Sequence, residues 1–160
     1  MSNRKKIYKL NSYQFSSKIT LGDEYMKLTT KGRYAITIML NLAAHYEEDE
    51  FLSLKEISEE ENISLKYLEK IMLNLKKENL VISSRGQEGG YKLAYKPSHY
   101  KLGDILKIAE DDLAPASCMK SDTVCEKKSV CKTYPIWDDL NNVLMNYLNS
   151  KTLADYIERK

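Results

Sequence analysis

From Thr29 onward, apolar residues recur with a helical period. Tyr34, Ile38, Leu42 and His45 fall at i, i+4, i+8 and i+11, with Ala35 and Met39 alongside, which predicts an amphipathic helix over 29–46. The acidic run Glu47–Glu50 ends it. Ser53 with Glu56 three residues later is a capping box, predicting a short helix through Glu60 that Asn62 breaks. Ser64 can cap a third helix to about Glu78, with Leu65, Leu68, Met72 and Leu75 facing inward. Two helices a few residues apart behind an N-terminal one have helix-turn-helix spacing, although any small helical bundle would fit the same pattern.

The pattern then changes period. Val81–Ser84 reads as a strand, 85–90 (RGQEGG) as a flexible loop and Tyr91–Ala94 as a returning strand. Three of the six glycines lie in that loop, where they permit positive φ and close backbone approach. A hairpin placed directly after a recognition helix is a wing. The expected fold is mainly α with a small β-hairpin wing, a winged helix-turn-helix followed by a long C-terminal helix. Beyond Pro97 and Ser98 a helix runs from Leu102 to about Asp111, then an aperiodic loop over 112–133. The last helix starts near Pro135, a residue suited to a first turn. Ile136, Leu140, Val143 and Tyr147 form a stripe along it, flanked by Leu144 and Leu148, wide enough for part to meet the N-terminal helix and the rest a second subunit. The expected division is 1–25 as an extension, 26–98 as the DNA-binding domain and 99–160 as the cysteine loop with dimerisation helices.

Residues 1–25 show neither period and carry five Lys/Arg. They read either as a basic arm or as a mis-called start, with Met26 the true first residue. Gly22-Asp23-Glu24 can be encoded by a sequence resembling a ribosome-binding site.

Among 160 residues, 42% are hydrophobic and 30% charged, so one compact domain with a real core is expected. No stretch approaches a membrane span and no secretory signal is visible, which reads as a cytoplasmic protein with reduced thiols. Net charge is only +2, but 47–61 holds eight acids and one lysine, whereas 64–101 holds eight Lys/Arg against three Glu. The basic half suits a polyanion; two oppositely charged solvated surfaces would give the same count.

In a helix-turn-helix the start of the recognition helix meets base edges. Ser64, Lys66, Tyr67 and Lys70 are the contact candidates, with Lys70 suited to phosphate or base. Glu69 could accept from a cytosine amino group or pair with a nearby lysine. Arg85 is placed to enter a minor groove from the wing. Every cysteine lies in the loop: Cys118, Cys125 and Cys131, spaced C-x6-C-x5-C. Thiolates select soft metals, and this spacing matches no zinc knuckle. An iron–sulfur cluster tolerates wider spacing; thiol redox chemistry, a ligand-free loop and zinc stay open. A thiol enzyme or metal carrier fits less well, since His45 and His99 are the only histidines and neither is near the cysteines.

MKLTTKGRYAITIMLNLA from Met26, ISLKYLEKIMLNLKKENLV from Ile63, RGQEGGYKLA from Arg85 and the three-cysteine loop ending in IWDDL closely resemble the Rrf-two-type transcription regulators, whose branches include IscR-like, NsrR-like and CymR-like proteins. The resemblance covers residues 26 to about 158. It implies a homodimeric, non-enzymatic winged helix-turn-helix on palindromic operator DNA, with the long C-terminal helix as dimer element and no small-molecule substrate. It also implies an iron–sulfur cluster on Cys118, Cys125 and Cys131, 2Fe–2S favoured over 4Fe–4S. Lys66 and Glu69 stand where members read bases, and Arg85 where the wing enters the minor groove. The fourth ligand departs from the family: Tyr134 stands where IscR-like members have histidine, and Arg33 where NsrR-like members have aspartate. Tyr134, Asp122, Glu126, His99 or an external thiol would have to substitute, or the position is open. A cluster-free repressor, governed by thiol oxidation or a cysteine-metabolism partner, is the alternative.

Overall fold

The computed structural model describes residues 28–86, 89–110, 112–120 and 124–157, so the expectation for 1–25 lies outside the described residues. The order is α1 (Thr30–Ala44), α2 (Leu54–Glu60), α3 (Leu65–Lys77), β1 (Val81–Ser84), β2 (Gly90–Leu93), α4 (Leu102–Ala109), α5 (Tyr134–Ser150) and α6 (Ala154–Ile157). Single 3-10 turns lie at Tyr46–Glu48, Pro97–His99 and Ser117–Met119. The fold is mainly α with one antiparallel hairpin, as the change of period predicts.

Local chemistry sets the boundaries. Thr29 caps α1, its hydroxyl accepting from the amides of Lys31 and Gly32. The Ser53–Glu56 capping box forms in both directions at α2. Asn62 and Asn79, at φ 52° and 56°, end α2 and α3 in the left-handed region. The amides just beyond them, Ile63 and Leu80, bond back to the carbonyls of Ser58 and Leu75 at 3.1 and 3.0 Å, satisfying carbonyls that the helix end would leave open. Ser64 occupies the N-cap of α3 but makes no side-chain capping bond, so the cap expected there is positional only. On α3 the buried row is Leu68, Ile71, Met72 and Leu75; Leu65, expected inward, is 39% exposed on the first turn. The apolar face is centred on the 68–71–72–75 row, and Leu65 falls beyond its edge.

The hairpin pairs Val81 with Leu93 and Ser84 with Gly90. Leu52 adds a single bridge to the edge of the hairpin through reciprocal 2.9 Å bonds with Tyr91. A Cβ at Gly90 would stand 2.2 Å from the Leu52 carbonyl oxygen, so glycine is required where the two backbones meet.

One core joins these elements. Ala35, Ile38, Met39 and Leu42 of α1 pack with Ile57, the α3 row, Val81, Leu93, Tyr100, Ile105 and Leu153. Tyr100 donates its hydroxyl to the Leu80 carbonyl and accepts from the Tyr95 amide, both at 2.8 Å. Burial raises its pKa, against the smaller opposing effect of hydrogen bonding to the backbone at Tyr95 and Ala94. After α5 the chain returns to this core: Leu102 donates to Lys151 at 2.9 Å and Leu153 to Tyr100 at 3.0 Å. A smaller cluster of Leu106, Leu113 and Leu148 seats α5 on α4. Among the described residues no helix is long and apolar enough to cross a membrane.

Two substitutions test this frame by urea unfolding. Gly90→Ala, forced against Leu52, should cost about 1–3 kcal/mol with an unchanged m value. Tyr100→Phe leaves a carbonyl and an amide without their partner and should cost about 1–3 kcal/mol. A midpoint unmoved by either would show that the contact it removes carries no weight.

Candidate nucleic-acid interface and cysteine loop

The basic surface begins on α3. Burial of Leu68, Ile71, Met72 and Leu75 turns Lys66, Glu69, Lys70, Leu73 and Lys77 outward, where all five are exposed. Ser64, also exposed, stands at the start of this face. Tyr67 differs: it is half-buried, and its ring meets Tyr34 of α1 edge-on at 5.7 Å. Its body is therefore packing, and it helps fix the angle between α1 and α3. Glu69 has no lysine partner among the described ion pairs.

The wing sorts the remaining cations. Lys76 donates to the Ser83 hydroxyl of β1. Lys92 bonds the Asp49 carboxylate and lies over the Phe51 ring at 4.7 Å, tying the acidic turn after α1 to the sheet. Both lysines are engaged within the fold. Arg85 is exposed at the tip, followed by Gly86 at φ 114°; Gln87 and Glu88 lie outside the described residues. Helix face and wing tip present like charge from adjacent elements, the arrangement a duplex phosphate backbone meets favourably.

The cysteine loop follows α4. Cys118 lies in the 3-10 turn, while Cys125 and Cys131 flank a turn in which the Lys128 amide donates to Cys125 at 3.1 Å and the Cys131 amide to Lys127 at 2.8 Å. All three are free, half-exposed thiols. Among the described residues no three His, Cys, Asp or Glu side chains are gathered so as to hold a metal ion. The donor set itself, three unpaired thiols within 14 residues, fits a soft metal centre or cluster; holding one requires the loop to close around it. The Cys131 thiol lies 3.4 Å from the Thr133 hydroxyl. That hydrogen bond, then the Thr133 amide, lowers its pKa and favours thiolate, the form that ligates metals and attacks disulfides.

The candidates for a fourth ligand divide clearly. Tyr134 opens α5, half-buried, with the Lys128 ammonium 4.9 Å from its ring centroid. The hydrogen bond with Tyr134 is the main cause that raises the Lys128 pKa. His99 stacks on Tyr95 at 4.7 Å in the turn after the wing and stands in no metal-holding group with the cysteines. Glu126 is exposed in the loop, Arg33 is exposed on α1, and Asp122 lies outside the described residues.

Sequence reasoning missed Glu110. It is a buried carboxylate at the end of α4, accepting from the Thr29 amide at 2.8 Å and from its hydroxyl at 3.0 Å. No local pattern marks a contact between residues 81 positions apart.

Beyond α5's buried edge, Ile136, Trp137, Leu140, Val143 and Tyr147 are exposed together along one stripe. Such a contiguous apolar strip marks an interaction surface.

Comparison with known proteins gives this geometry a lineage. The Rrf2 family, described as "Iron-dependent Transcriptional regulator", matches residues 28–159. The Rrf2 protein of Nitratidesulfovibrio vulgaris is 38% identical over 130 residues, covering 81% of this chain and 86% of that protein. CymR of B. subtilis, named as its global cysteine regulator, superposes with a TM-score of 0.69 at 34% identity, covering 84% of this chain and 98% of that one. IscR of T. potens superposes at 0.66 with 36% identity, covering 82% and 86%. The chain belongs to the Rrf2 family of winged-helix transcription regulators, and is a DNA-binding regulator rather than an enzyme.

Proposed function

We propose that this regulator binds palindromic operator DNA as a cytoplasmic homodimer and senses iron–sulfur or redox status through its cysteine loop. Residues 26–98 read the operator and 99–160 sense and dimerise. Three free thiols in one loop of a chain that also carries a helix-turn-helix face and a hairpin wing are the observation that carries this reading.

Each contact has its chemistry. Lys66 and Lys70 meet base edges or phosphates from the first turns of α3, and Ser64 donates at the helix start. Glu69 accepts from a cytosine amino group, a role its exposure and lack of a described lysine partner support. Tyr67 contributes at most its hydroxyl, its ring being held by Tyr34. Arg85 enters the minor groove from the wing. The α5 stripe supplies the dimer interface, since an isologous helix pair buries the same strip on both chains.

Cys118, Cys125 and Cys131 would hold the cluster, 2Fe–2S in preference to 4Fe–4S. Bound there, it would supply a redox- and oxygen-sensitive cross-link of the loop. What this chain contributes is thiolate character at Cys131, two anchored loop ends and a fourth position with no resident histidine. An incompletely ligated cluster is labile, which suits a sensor. The second reading is a cluster-free repressor switched by thiol oxidation or a partner of cysteine metabolism. It is favoured by the likeness to CymR.

Iron and sulfide assay after anaerobic purification separates the two readings. Stoichiometric iron and sulfide, lost in the Cys125→Ala variant, is the expected result. A colourless, iron-free protein with unaltered operator affinity would sink the cluster reading. For the DNA face, Lys70→Ala and Arg85→Ala should weaken operator binding and lower the salt slope by about one each. Glu69→Ala should instead relax base preference at one position of each half-site, by about 1–3 kcal/mol in a sequence-variant binding series. Under the redox reading, the pH profile for Cys131 alkylation should lie below that of an ordinary thiol. Thr133→Val should move it upward, since the thiolate loses the hydrogen bond from the Thr133 hydroxyl.

A further inference from the structure

Glu110 is the only buried charged side chain in the described core, and nothing in the DNA-binding chemistry uses it. A buried carboxylate is costly unless its oxygens are satisfied. Here both oxygens accept from the Thr29 hydroxyl at 3.0 Å, and one also accepts from the Thr29 amide at 2.8 Å. The same hydroxyl caps α1 by accepting from Lys31 and Gly32. The carboxylate thus completes the N-terminal cap of α1, where negative charge is favoured by the helix dipole. Gly32 makes room for it: a Cβ there would stand within van der Waals overlap of the carboxylate oxygen, Oε1, at 2.1 Å.

The position of Glu110 along the chain matters as much as its contacts. It is the first residue beyond α4, where the segment leading to Cys118 begins. A cavity of about 390 Å³ adjoins it, lined by Lys107, Asp112, Leu113, Met119 from the cysteine loop and Met145 from α5. Lys107 lies one helical turn before Glu110 on α4 and borders the same space. The carboxylate therefore borders two environments. One is the Thr29 cap; the other is the cavity, facing a cation.

We propose that Glu110 is a positioning residue, a latch that couples the state of the cysteine loop to α1. Seated on Thr29, it holds the first turn of α1 and the loop root together. Withdrawn into the cavity, it leaves the cap of α1 to Thr29 alone and frees the segment that carries Cys118. Tyr34, two residues into α1 from Gly32, meets Tyr67 of the recognition helix, so a shift of this turn reaches α3 through one ring contact. The role of the loop as the sensing element is taken from the functional reading above; the coupling itself is measurable without a cluster.

The test uses reduced, metal-free, full-length protein. The rate of Cys118 modification by N-ethylmaleimide is followed by peptide mass spectrometry, with hydrogen exchange read at residues 30–34. Thr29→Val and Gly32→Ala both unseat the carboxylate from the α1 side. Each should accelerate Cys118 modification by about fivefold or more, the lower range of a coupling between sites. Thr29→Ser keeps the hydroxyl and should match wild type. Glu110→Gln should loosen both the loop and the first turn of α1. Rates within about twofold of wild type for Thr29→Val and Gly32→Ala would overturn the latch, since a simple cap would loosen α1 alone. Wild-type protein that takes up no iron would count against the functional reading, while the alkylation rates would still decide the coupling.

Discussion

Everything in this molecule leans on α1. Its buried face, Ala35, Ile38, Met39 and Leu42, is the common floor for α3, α4, α6 and the second strand of the wing. A helix enclosed by that many elements cannot shift without its neighbours, because close-packed interiors transmit displacement rather than absorb it. The orientation of the recognition helix, the seat of α4 and the return of the C-terminal segment are therefore one packing solution. Leu153, fully buried 115 positions after Ile38, belongs to that solution as much as any residue of the winged helix.

Given that frame, the electrostatics follow from which lysines the fold uses up. Eight cations lie between Ser64 and Lys101, but Lys76 is held by Ser83 and Lys92 by Asp49 and Phe51. The residues left on the surface of α3 and the wing tip are Lys66, Lys70, Lys77 and Arg85. The acidic stretch around α2 is spent largely on local duties. Glu56 closes a capping box, Glu61 accepts from Asn41 at 2.8 Å, and Asp49 anchors the wing. The charge asymmetry of the sequence is thus partly scaffolding and partly interface.

Local rules made the helix-turn-helix and wing legible in advance. The Ser53–Glu56 box, the Asn62 break and the hairpin over 81–94 all depend on contacts a few residues apart. Where reading went astray, the deciding contact was long-range or geometric. Leu65 gave way to Ile71 because the centre of the α3 face is set by the helices packed on it, α1, α2 and α4. The Leu52–Tyr91 bridge, the Leu153 anchor and the Glu110–Thr29 contact join segments tens of residues apart and leave no mark on either. The cysteine loop was legible as chemistry, through residue type and spacing, but not as geometry: a loop without period has no rule that fixes where its thiols point.

That lack of geometry is a property of the loop and not only of the reading. Its ends are fixed. Leu113 is buried against Leu106 and Leu148, and the last turn runs into α5 through the Tyr134 and Ile136 amides bonded to Cys131 and Thr133. Between those ends, the backbone bonds described for 116–131 close turns of only three or four residues. Val124 and Val130, 90% and 77% exposed, contribute no burial. Such a segment has little stability of its own, so gathering three thiols around a common centre costs few native contacts. Of the two elements that anchor the loop, α4 shares the core with α3, and α5 meets that core through α4 at the Leu106–Leu148 contact.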